Sequence, residues 1–142
     1  MPLDMPAVRD VICTVVADEV DAQINVYPYL PAAWVHPSMV VTEDDPYLEQ
    51  ETFSRGPVRA GLRLVVSVAA QHGDDAARTL DRLAADVWSA CGHVAARSDG
   101  LIAGVWVEQV GPTQQIVTAD AGTVAISQTL TVRVDLTMEA CP

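Results

Sequence analysis

A regular alternation of side chains from Val58 to Ala70 constrains the fold of this chain more than any other feature. The even positions carry the apolar side chains of Val58, Ala60, Leu62, Leu64, Val66, Val68 and Ala70. The odd positions are mostly polar or small. This period of two is typical of a β-strand with one face on a core and the other towards solvent or a partner. At about 3.3 Å per residue the strand would be about 40 Å long, more than a small domain needs for burial alone.

The sequence predicts one helix before this strand and one after it. Residues 71–73 interrupt the strand, and Asp74 is placed to cap the second helix. The core-facing stripe predicted for that helix consists of Ala77, Leu80, Leu83, Ala84, Val87 and Trp88. The first helix is predicted over Pro6–Val20, because proline suits a first turn and apolar residues follow at spacings of three and four.

Residues 28–56 form an unusually long connection between the first helix and the long strand. A short strand, Ile24–Tyr27, precedes it, and Trp34–Val41 is predicted to be an edge or bulged strand because it contains Pro37. Residues 42–50 lack the period of either element and are predicted to form an acidic loop. Connections of this length are usually functional or become ordered on a partner, which is typical of an assembly protein.

Three more strands are predicted in the last third of the chain: 101–110, 113–119 and 123–138. Turns at Gly111-Pro112 and at residues 120–122 would join them into an antiparallel meander. The fold class is therefore α+β, with one mainly antiparallel sheet and two helices packed on one face of it.

Gln128 and Trp106 lie at positions where the alternation predicts side chains that face the core. The last strand alternates apolar residues with Thr and Ser, and only Gln128 interrupts its apolar face. Trp106 is in phase with Ile102 and Val110 of the preceding strand, so it is predicted to lie in the core.

Composition and length restrict the class of protein. The 142 residues are predicted to form a single domain, 1–142, with valine frequent enough to favour a sheet. No apolar run approaches the roughly 20 residues of a membrane span, and the first residues lack a signal-peptide pattern, so we expect a soluble protein. Cys13, Cys91 and Cys141 are an odd number without metal spacing, which predicts free thiols in a reducing compartment.

The charge is strongly negative. Nineteen acidic residues oppose eight basic ones, all arginine, for a formal net charge of −11. Such a chain should repel nucleic acid, so specific binding of DNA is not expected. The repulsion would suit a surface past which DNA must slide, although a charge of this size also serves solubility alone.

The length of the two long strands predicts association between copies. They are longer than the two predicted helices can cover, and strand ends that extend beyond a core normally pair with something. We therefore expect a ring or stack of copies whose sheets continue one another. The alternative is that the strands are shorter than the alternation suggests.

No constellation in the sequence predicts catalysis or a cofactor. His36, His72 and His93 are far apart, and Cys91 with His93 lacks the second ligand pair that a zinc site needs. Nucleophile elbows, phosphate loops and dinucleotide fingerprints are absent, so no catalytic, metal or cofactor residues are predicted. A less favoured alternative is a small acidic ligand-binding module or enzyme with a cleft beside Trp34 and His36.

Several short motifs resemble one family. They are Val26-Tyr27-Pro28-Tyr29 followed by Pro31, Asp45-Pro46-Tyr47, Thr52-Phe53-Ser54-Arg55-Gly56 before the long strand, and Arg78-Thr79-Leu80-Asp81-Arg82-Leu83. Together with the Thr/Val-alternating last strand, they resemble the tail terminator proteins of siphophages that infect actinobacteria. The resemblance extends from about residue 6 to residue 138.

This resemblance implies a non-enzymatic virion protein. It would form a hexameric ring on the head-proximal end of the tail tube, end tube polymerisation and present a surface to the head-completion (stopper) protein. DNA would pass through its lumen without specific binding, and no cofactor is implied. The protein would be assembled in the host cytoplasm and reside in the neck of the virion. Another head–tail connector or a tube-like subunit is the alternative within this class.

The residues expected at subunit or partner interfaces come from the long connection and the strand that follows it. They are Trp34, Glu43, Asp44, Asp45, Glu49, Arg55, Arg59 and Arg63. We expect the arginines to pair with the carboxylates of a neighbouring subunit, because the guanidinium fork suits such contacts.

Overall fold

The computed structural model describes residues 4–21, 23–50, 58–70, 74–117 and 124–136. Within these ranges the chain forms two helices and six strands. In chain order they are α1 (Met5–Glu19), β1 (Asn25–Tyr27), β2 (Ser38–Gln50), β3 (Val58–Ala69), α2 (Asp74–Val94), β4 (Ile102–Val110), β5 (Gln114–Val117) and β6 (Val124–Leu136).

All six strands belong to one sheet, in the order β1-β2-β3-β6-β4, with β5 also paired to β6. Only the short pair β1–β2 is parallel. The two long strands β3 and β6 form the centre of the sheet and pair without a break from Val58↔Leu136 to Ala69↔Ala125. The predicted α+β class with a mainly antiparallel sheet is confirmed.

The helices pack on the face of the sheet that carries the even-numbered side chains of β3 and β6. The shared core includes Ile12 and Val16 of α1, Leu80 and Leu83 of α2, and Leu64 of β3. α1 is anchored at its start by Asp4, whose carboxylate accepts a hydrogen bond from the Ala7 amide at 3.0 Å. The alternation that predicted β3 is confirmed, because every even residue from Val58 to Val68 is at most 7 % exposed.

This burial corrects the expectation that the long strands extend beyond the helices. α1 has 15 residues and α2 has 21, so at 1.5 Å per residue they are about 22 and 31 Å long. The even-numbered side chains of β3 are nevertheless buried from Val58 to Val68, in the core that both helices share with the sheet. Within the described ranges, the surfaces left for a neighbouring copy are therefore the sheet edges, the opposite face and the outer side of the helices.

The predicted acidic loop over residues 42–50 is wrong, because β2 continues through it. Of the predicted strand Trp34–Val41, only the part from Ser38 is strand. The register to β3 shifts between Glu43 and Leu48, so that the four residues of β2 between them lie opposite a single residue of β3, Gly61. A bulge of this kind removes the period of two on which a sequence-based prediction of a strand depends.

The predicted meander is also wrong. β4 and β5 both run antiparallel to β6 and lie along the same side of it, one after the other. The Gly111 amide donates to the Thr129 carbonyl at 2.9 Å, so Gly111-Pro112 interrupts one long strand instead of reversing the chain.

Trp88 and Trp106 were predicted to lie in the core, and both predictions are wrong. Trp106 is 39 % exposed, because the register of β4 to β6 shifts once before Gly104 and again after Val107. Each shift exchanges the two faces, so Ile102 and Val110 still face the core while Trp106 does not. Trp88 is 47 % exposed on α2, whose buried stripe begins at Ala76 instead of Ala77.

Two further sequence-based predictions concern cysteines and membranes. Cys13 and Cys91 are buried free thiols, as predicted, while Cys141 lies outside the described residues. Burial raises the pKa of each thiol to about 12, with nearby Asp10 contributing at Cys13. Neither of the two described helices is long and apolar enough to span a bilayer.

Candidate functional site

The face of the sheet opposite the helices carries a network of ion pairs centred on Asp44. Its carboxylate accepts hydrogen bonds from Arg63 Nε at 2.9 Å and from Arg133 Nη1 at 2.6 Å, and its side chain is only 7 % exposed. Arg133 Nε in turn lies 3.0 Å from Glu108 Oε2. The network therefore connects β2, β3, β6 and β4 across the width of the sheet.

Gly61 makes this arrangement possible. A Cβ placed on Gly61 would lie 2.5 Å from the Pro46 carbonyl oxygen and 2.6 Å from Arg133 Nη1. The bulge of β2 thus lies directly against the β3 backbone at this point, and it carries Asp44 towards Arg133 on the far side of β3. Glycine is the residue that permits such a close backbone approach within a strand.

The pKa of Asp44 lies below its ordinary value. Burial acts in the opposite direction and raises it, but the hydrogen bonds from Arg133, the Asp45 backbone and Arg63, with the positive charge of Arg133, outweigh burial. The carboxylate is therefore ionised at neutral pH, and it compensates the two arginines that it contacts.

A second pair lies farther along the same face. Arg59 Nε lies 3.0 Å from Asp135 Oδ1, and the Arg59 guanidinium lies 4.7 Å from the centre of the Trp106 ring. The half-exposed indole of Trp106 is thus one of the surfaces on which this arginine stacks. Arg59, Arg63 and Arg133 together make the open face of the sheet an ordered polar surface.

The structure brings together some of the residues predicted at interfaces and separates others. Asp44 and Arg63 were expected to form ion pairs between subunits, and here they pair with each other within one chain. Arg59 pairs with Asp135 of the same chain. Arg55 lies outside the described residues. Glu43 lies opposite Leu62 of β3 and Glu49 lies opposite Arg59, so these two glutamates are on opposite faces of the sheet. Asp45 lies in the bulge between them, and Trp34 lies in the segment before β2.

Glu43 faces the helix side of the sheet, where it contacts a residue that the sequence analysis missed. Arg9 of α1 is only 4 % exposed and donates to the Pro28 and Val41 carbonyl oxygens at 2.8 and 3.1 Å. Its Nη2 lies 3.4 Å from Glu43 Oε1, and its guanidinium lies 4.4 Å from the centre of the Tyr29 ring. Arg9 therefore fastens α1 to β2 and to the start of the long connection.

The sequence contains a signal for Arg9. It precedes Ile12, Cys13 and Val16 by three, four and seven residues, which places it within the apolar stripe of α1. A charged side chain inside such a stripe is a candidate for a buried and fully used polar group.

Trp34 and His36 are half-buried and join two buried serines in a polar row at the other end of the sheet. His36 Nδ1 lies 3.0 Å from Ser67 Oγ, and Ser38 Oγ lies 2.8 Å from Ser67 Oγ. Trp34 Nε1 donates to Ser38 Oγ. Burial lowers the pKa of His36. Since both serines are fully buried, this row fixes residues 34–38 on the sheet and presents no serine hydroxyl to solvent.

Two grooves lie on the helix side. One, of about 430 Å³, is open and runs between α2 and the end of β4, with Trp88 and Val110 in its walls. Its floor contains Gln128, whose Nε2 donates to Asp81 Oδ1 at 2.6 Å and to Thr113 Oγ1 at 3.2 Å. These two bonds explain why a glutamine interrupts the apolar face of β6.

The second groove, of about 130 Å³, lies between the C-terminal ends of the two helices. His93 Nδ1 lies 2.7 Å from Glu19 Oε1 there, and both side chains line the groove. Within the described ranges, no group of three or more His, Cys, Asp or Glu side chains is arranged to hold a metal ion.

The comparisons with known proteins do not add an assignment. No family model matches this sequence, and no curated protein matches it significantly.

Proposed function

We propose that this chain is a structural virion protein that forms a ring on the head-proximal end of a phage tail tube. In this role it ends tube polymerisation and joins the tail to the head-completion protein, while DNA passes through the lumen. The proposal starts from the resemblance of residues 6–138 to siphophage tail terminators. It implies no enzymatic activity and no cofactor.

The structural observation that carries the proposal is the pair of open edges on opposite sides of the sheet. β1 covers β2 only at Ser38–Val40, so among the described residues the outer edge of β2 beyond Val40 has no strand partner. On the other side, the outer edge of β4 and β5 likewise has no strand partner in the described ranges. Exposed edges of this length favour pairing with another chain.

The two edges belong to different surfaces of the same subunit, and this supports a ring over a two-fold dimer. Contact between unlike surfaces is heterologous, and successive heterologous contacts close into a ring when the rotation per subunit allows it. A hexamer is the closed form implied by the resemblance.

The charge of the chain supports the proposed lumen. A net charge of −11 disfavours lasting contact with DNA phosphates. Among the described residues, two of the arginines on the open face of the sheet, Arg63 and Arg133, are paired with the carboxylate of Asp44.

The test is electron microscopy of tails assembled with and without this chain. The gene is inactivated in the phage that encodes it, and tail tubes are purified from the infected host. We expect tubes of unregulated length without attached heads, and we expect the purified chain to restore the length when it is present during assembly. In restored tails a ring of this protein should be visible at the head-proximal end.

Two outcomes would contradict this proposal in different ways. Tubes of normal length without heads would move the protein to another position in the neck, which is the connector alternative. Normal tails with heads attached would exclude a role in tail completion altogether.

A further inference from the structure

Residues 34–37, which we call the strap, lie over one end of the open face of the sheet. Ser67 is on that face of β3, directly opposite Ser38 of β2, and both serines are fully buried. Within β3, Ser67 is the one odd-numbered side chain that is buried. Trp34 and His36 contact the two serines and contribute this cover. The strap therefore closes a part of the open face that would otherwise present two hydroxyl groups.

The hydrogen bonds of the strap form one continuous row. The indole of Trp34 can only donate, and its Nε1 donates to Ser38 Oγ. Ser38 Oγ lies 2.8 Å from Ser67 Oγ, which in turn lies 3.0 Å from His36 Nδ1. Within the described ranges these four side chains make no other hydrogen bond, so the row consists of three contacts.

The number of hydrogens in the row decides the state of His36. The indole and the two serine hydroxyls already supply one hydrogen for each of the three contacts. His36 Nδ1 must then accept, so the neutral ring carries its hydrogen on Nε2. A proton on Nδ1 adds a further hydrogen, and one donor of the row loses its acceptor. Because the two hydroxyls are buried, this loss is not made good by water and disfavours the closed strap.

The surroundings of His36 offer no compensation for a positive charge. Burial lowers the pKa of His36, and no charged side chain among the described residues contributes to it. The strap instead meets hydroxyl groups on three strands, those of Ser38, Ser67 and Tyr27, the last of which accepts a hydrogen bond from the Val35 amide at 3.4 Å. The geometry of the row and its surroundings therefore act in the same direction.

The opposite side of the strap is held by a residue that does not titrate. The Asn25 amide donates to the Pro37 carbonyl oxygen at 3.0 Å, and Asn25 Nδ2 donates to the Val35 carbonyl oxygen at 3.2 Å. These bonds are the same at every pH. The contact of His36 with Ser67 is thus the part of the attachment that responds to protons.

We propose that the strap is a pH-sensitive cover, closed over Ser38 and Ser67 while His36 is neutral and released when Nδ1 takes up a proton. Release uncovers the two hydroxyl groups and the end of the open face on which they lie. This inference does not depend on the proposed ring, and its test needs only the isolated chain.

The tautomer of His36 is the first test. A long-range proton–nitrogen correlation NMR spectrum of the original chain at about pH 7.5 distinguishes the two neutral forms of a histidine ring. We expect the hydrogen of His36 on Nε2. A hydrogen on Nδ1 would overturn the inference, because the row would then run in the other direction and hold a protonated Nδ1 already.

Hydrogen exchange of the Asn25 and Val35 amides measures the release itself. After correction for intrinsic rates, their protection should fall about three- to eightfold between about pH 7 and pH 5.5, because the open form binds a proton more readily than the closed form. The Leu64 amide at the centre of the sheet should stay better protected at each pH. Equal protection at Leu64 would mean global unfolding, and protection that does not change with pH would exclude the switch.

His36→Asn is the decisive variant. Its amide oxygen takes the place of Nδ1, accepts from Ser67 and does not titrate, so the protection of the strap should no longer depend on pH over this range. His93→Asn is the matched control, since His93 pairs with Glu19 beside the helices and its loss should leave the response of the strap intact. A response that survives in His36→Asn would overturn the inference. If that variant does not fold, the tautomer and the exchange profile of the original chain decide.

Discussion

Gly61 and Asp44 show how single residues set the shape of this sheet. Gly61 leaves room for the β2 bulge to lie on β3, and the bulge brings Asp44 within 2.6 Å of Arg133 on β6. The carboxylate in turn compensates two guanidinium groups on neighbouring strands. The buried carboxylate of Asp44 therefore reaches its arginine partners only because Gly61 has no side chain at the point where the bulge crosses β3.

Substituting Gly61→Ala should destabilise the fold by about 1–3 kcal/mol, because the added methyl group meets the Pro46 carbonyl, a backbone atom that cannot rotate away. Urea unfolding followed by circular dichroism measures the change. Gly104→Ala is the control within a strand, since a Cβ at Gly104 meets nothing within 4 Å. Equal stability of the two variants would show that the bulge does not depend on Gly61.

Substituting Asp44→Asn should also cost about 1–3 kcal/mol at neutral pH, because two hydrogen bonds to charged groups are weakened. The cost should depend on pH in a defined direction. The pKa of Asp44 is lowered in the folded chain, so its contribution is fully present above the unfolded-state pKa of about 3.9 and is lost as the pH falls through the folded-state value.

Unfolding free energies of the original chain and Asp44→Asn, compared from about pH 7 to pH 2.5, provide the measurement. The difference between them should be constant down to about pH 5 and decrease below pH 4. A difference that grows on acidification would mean that the pKa of Asp44 is raised in the folded chain, so that the arginines do not hold its carboxylate ionised.

At the scale of elements, α1 is held by contacts of Arg9 as well as by its apolar stripe. The Arg9 guanidinium bonds two carbonyl oxygens from different segments, at Pro28 and Val41, in a position that is almost fully buried. Its Nε has no hydrogen-bond partner among the described residues, so the remaining contacts must compensate the burial of the charge. The helix, β2 and the start of the long connection thus form one unit.

Arg9→Lys should destabilise this unit by about 2–4 kcal/mol, because a single ammonium group cannot reproduce the fork and leaves a buried carbonyl without a donor. Thermal unfolding measures the loss. Arg97→Lys is the matched control, since Arg97 pairs with Asp18 at the surface and its replacement should leave the melting temperature unchanged. Equal effects at the two positions would show that the carbonyl contacts of Arg9 contribute little.

At the scale of the whole molecule, charge and edges act in opposite directions. The net charge of −11 makes copies repel one another, while two open sheet edges favour a specific contact. Repulsion between exposed charges is screened over about 8–10 Å at physiological salt, whereas contacts at close range persist. The same charge keeps nucleic acid at a distance.

The intact chain should therefore not bind duplex DNA, even at low salt. Fluorescence anisotropy of a labelled duplex at about 20 mM salt, titrated with protein to about 100 µM, should show no change, because no net cationic surface releases counterions. The Asp45→Arg/Glu49→Arg variant tests whether two added arginines on β2 are sufficient for binding of the duplex. Saturable binding by the original chain would contradict the proposed passive lumen.

The amino-acid sequence by itself determined the central parts of this fold. The alternation in β3 and β6 and the apolar stripes of α1 and α2 predicted four elements and the face on which they pack. Periodicity is sufficient there because these elements are regular and one side of each is buried along its length. The same logic could have identified Arg9, since its position in the stripe of α1 is visible in the sequence.

Only the tertiary structure decided the rest. The bulge in β2, the tandem arrangement of β4 and β5, and the exposure of Trp88 and Trp106 all depend on where a strand shifts register or which element lies beside it. A shift of one residue exchanges the two faces of a strand without any change in composition. The pairing of Asp44 with Arg63 and Arg133 follows the same rule, because charges distant in sequence meet only after the sheet has set their registers.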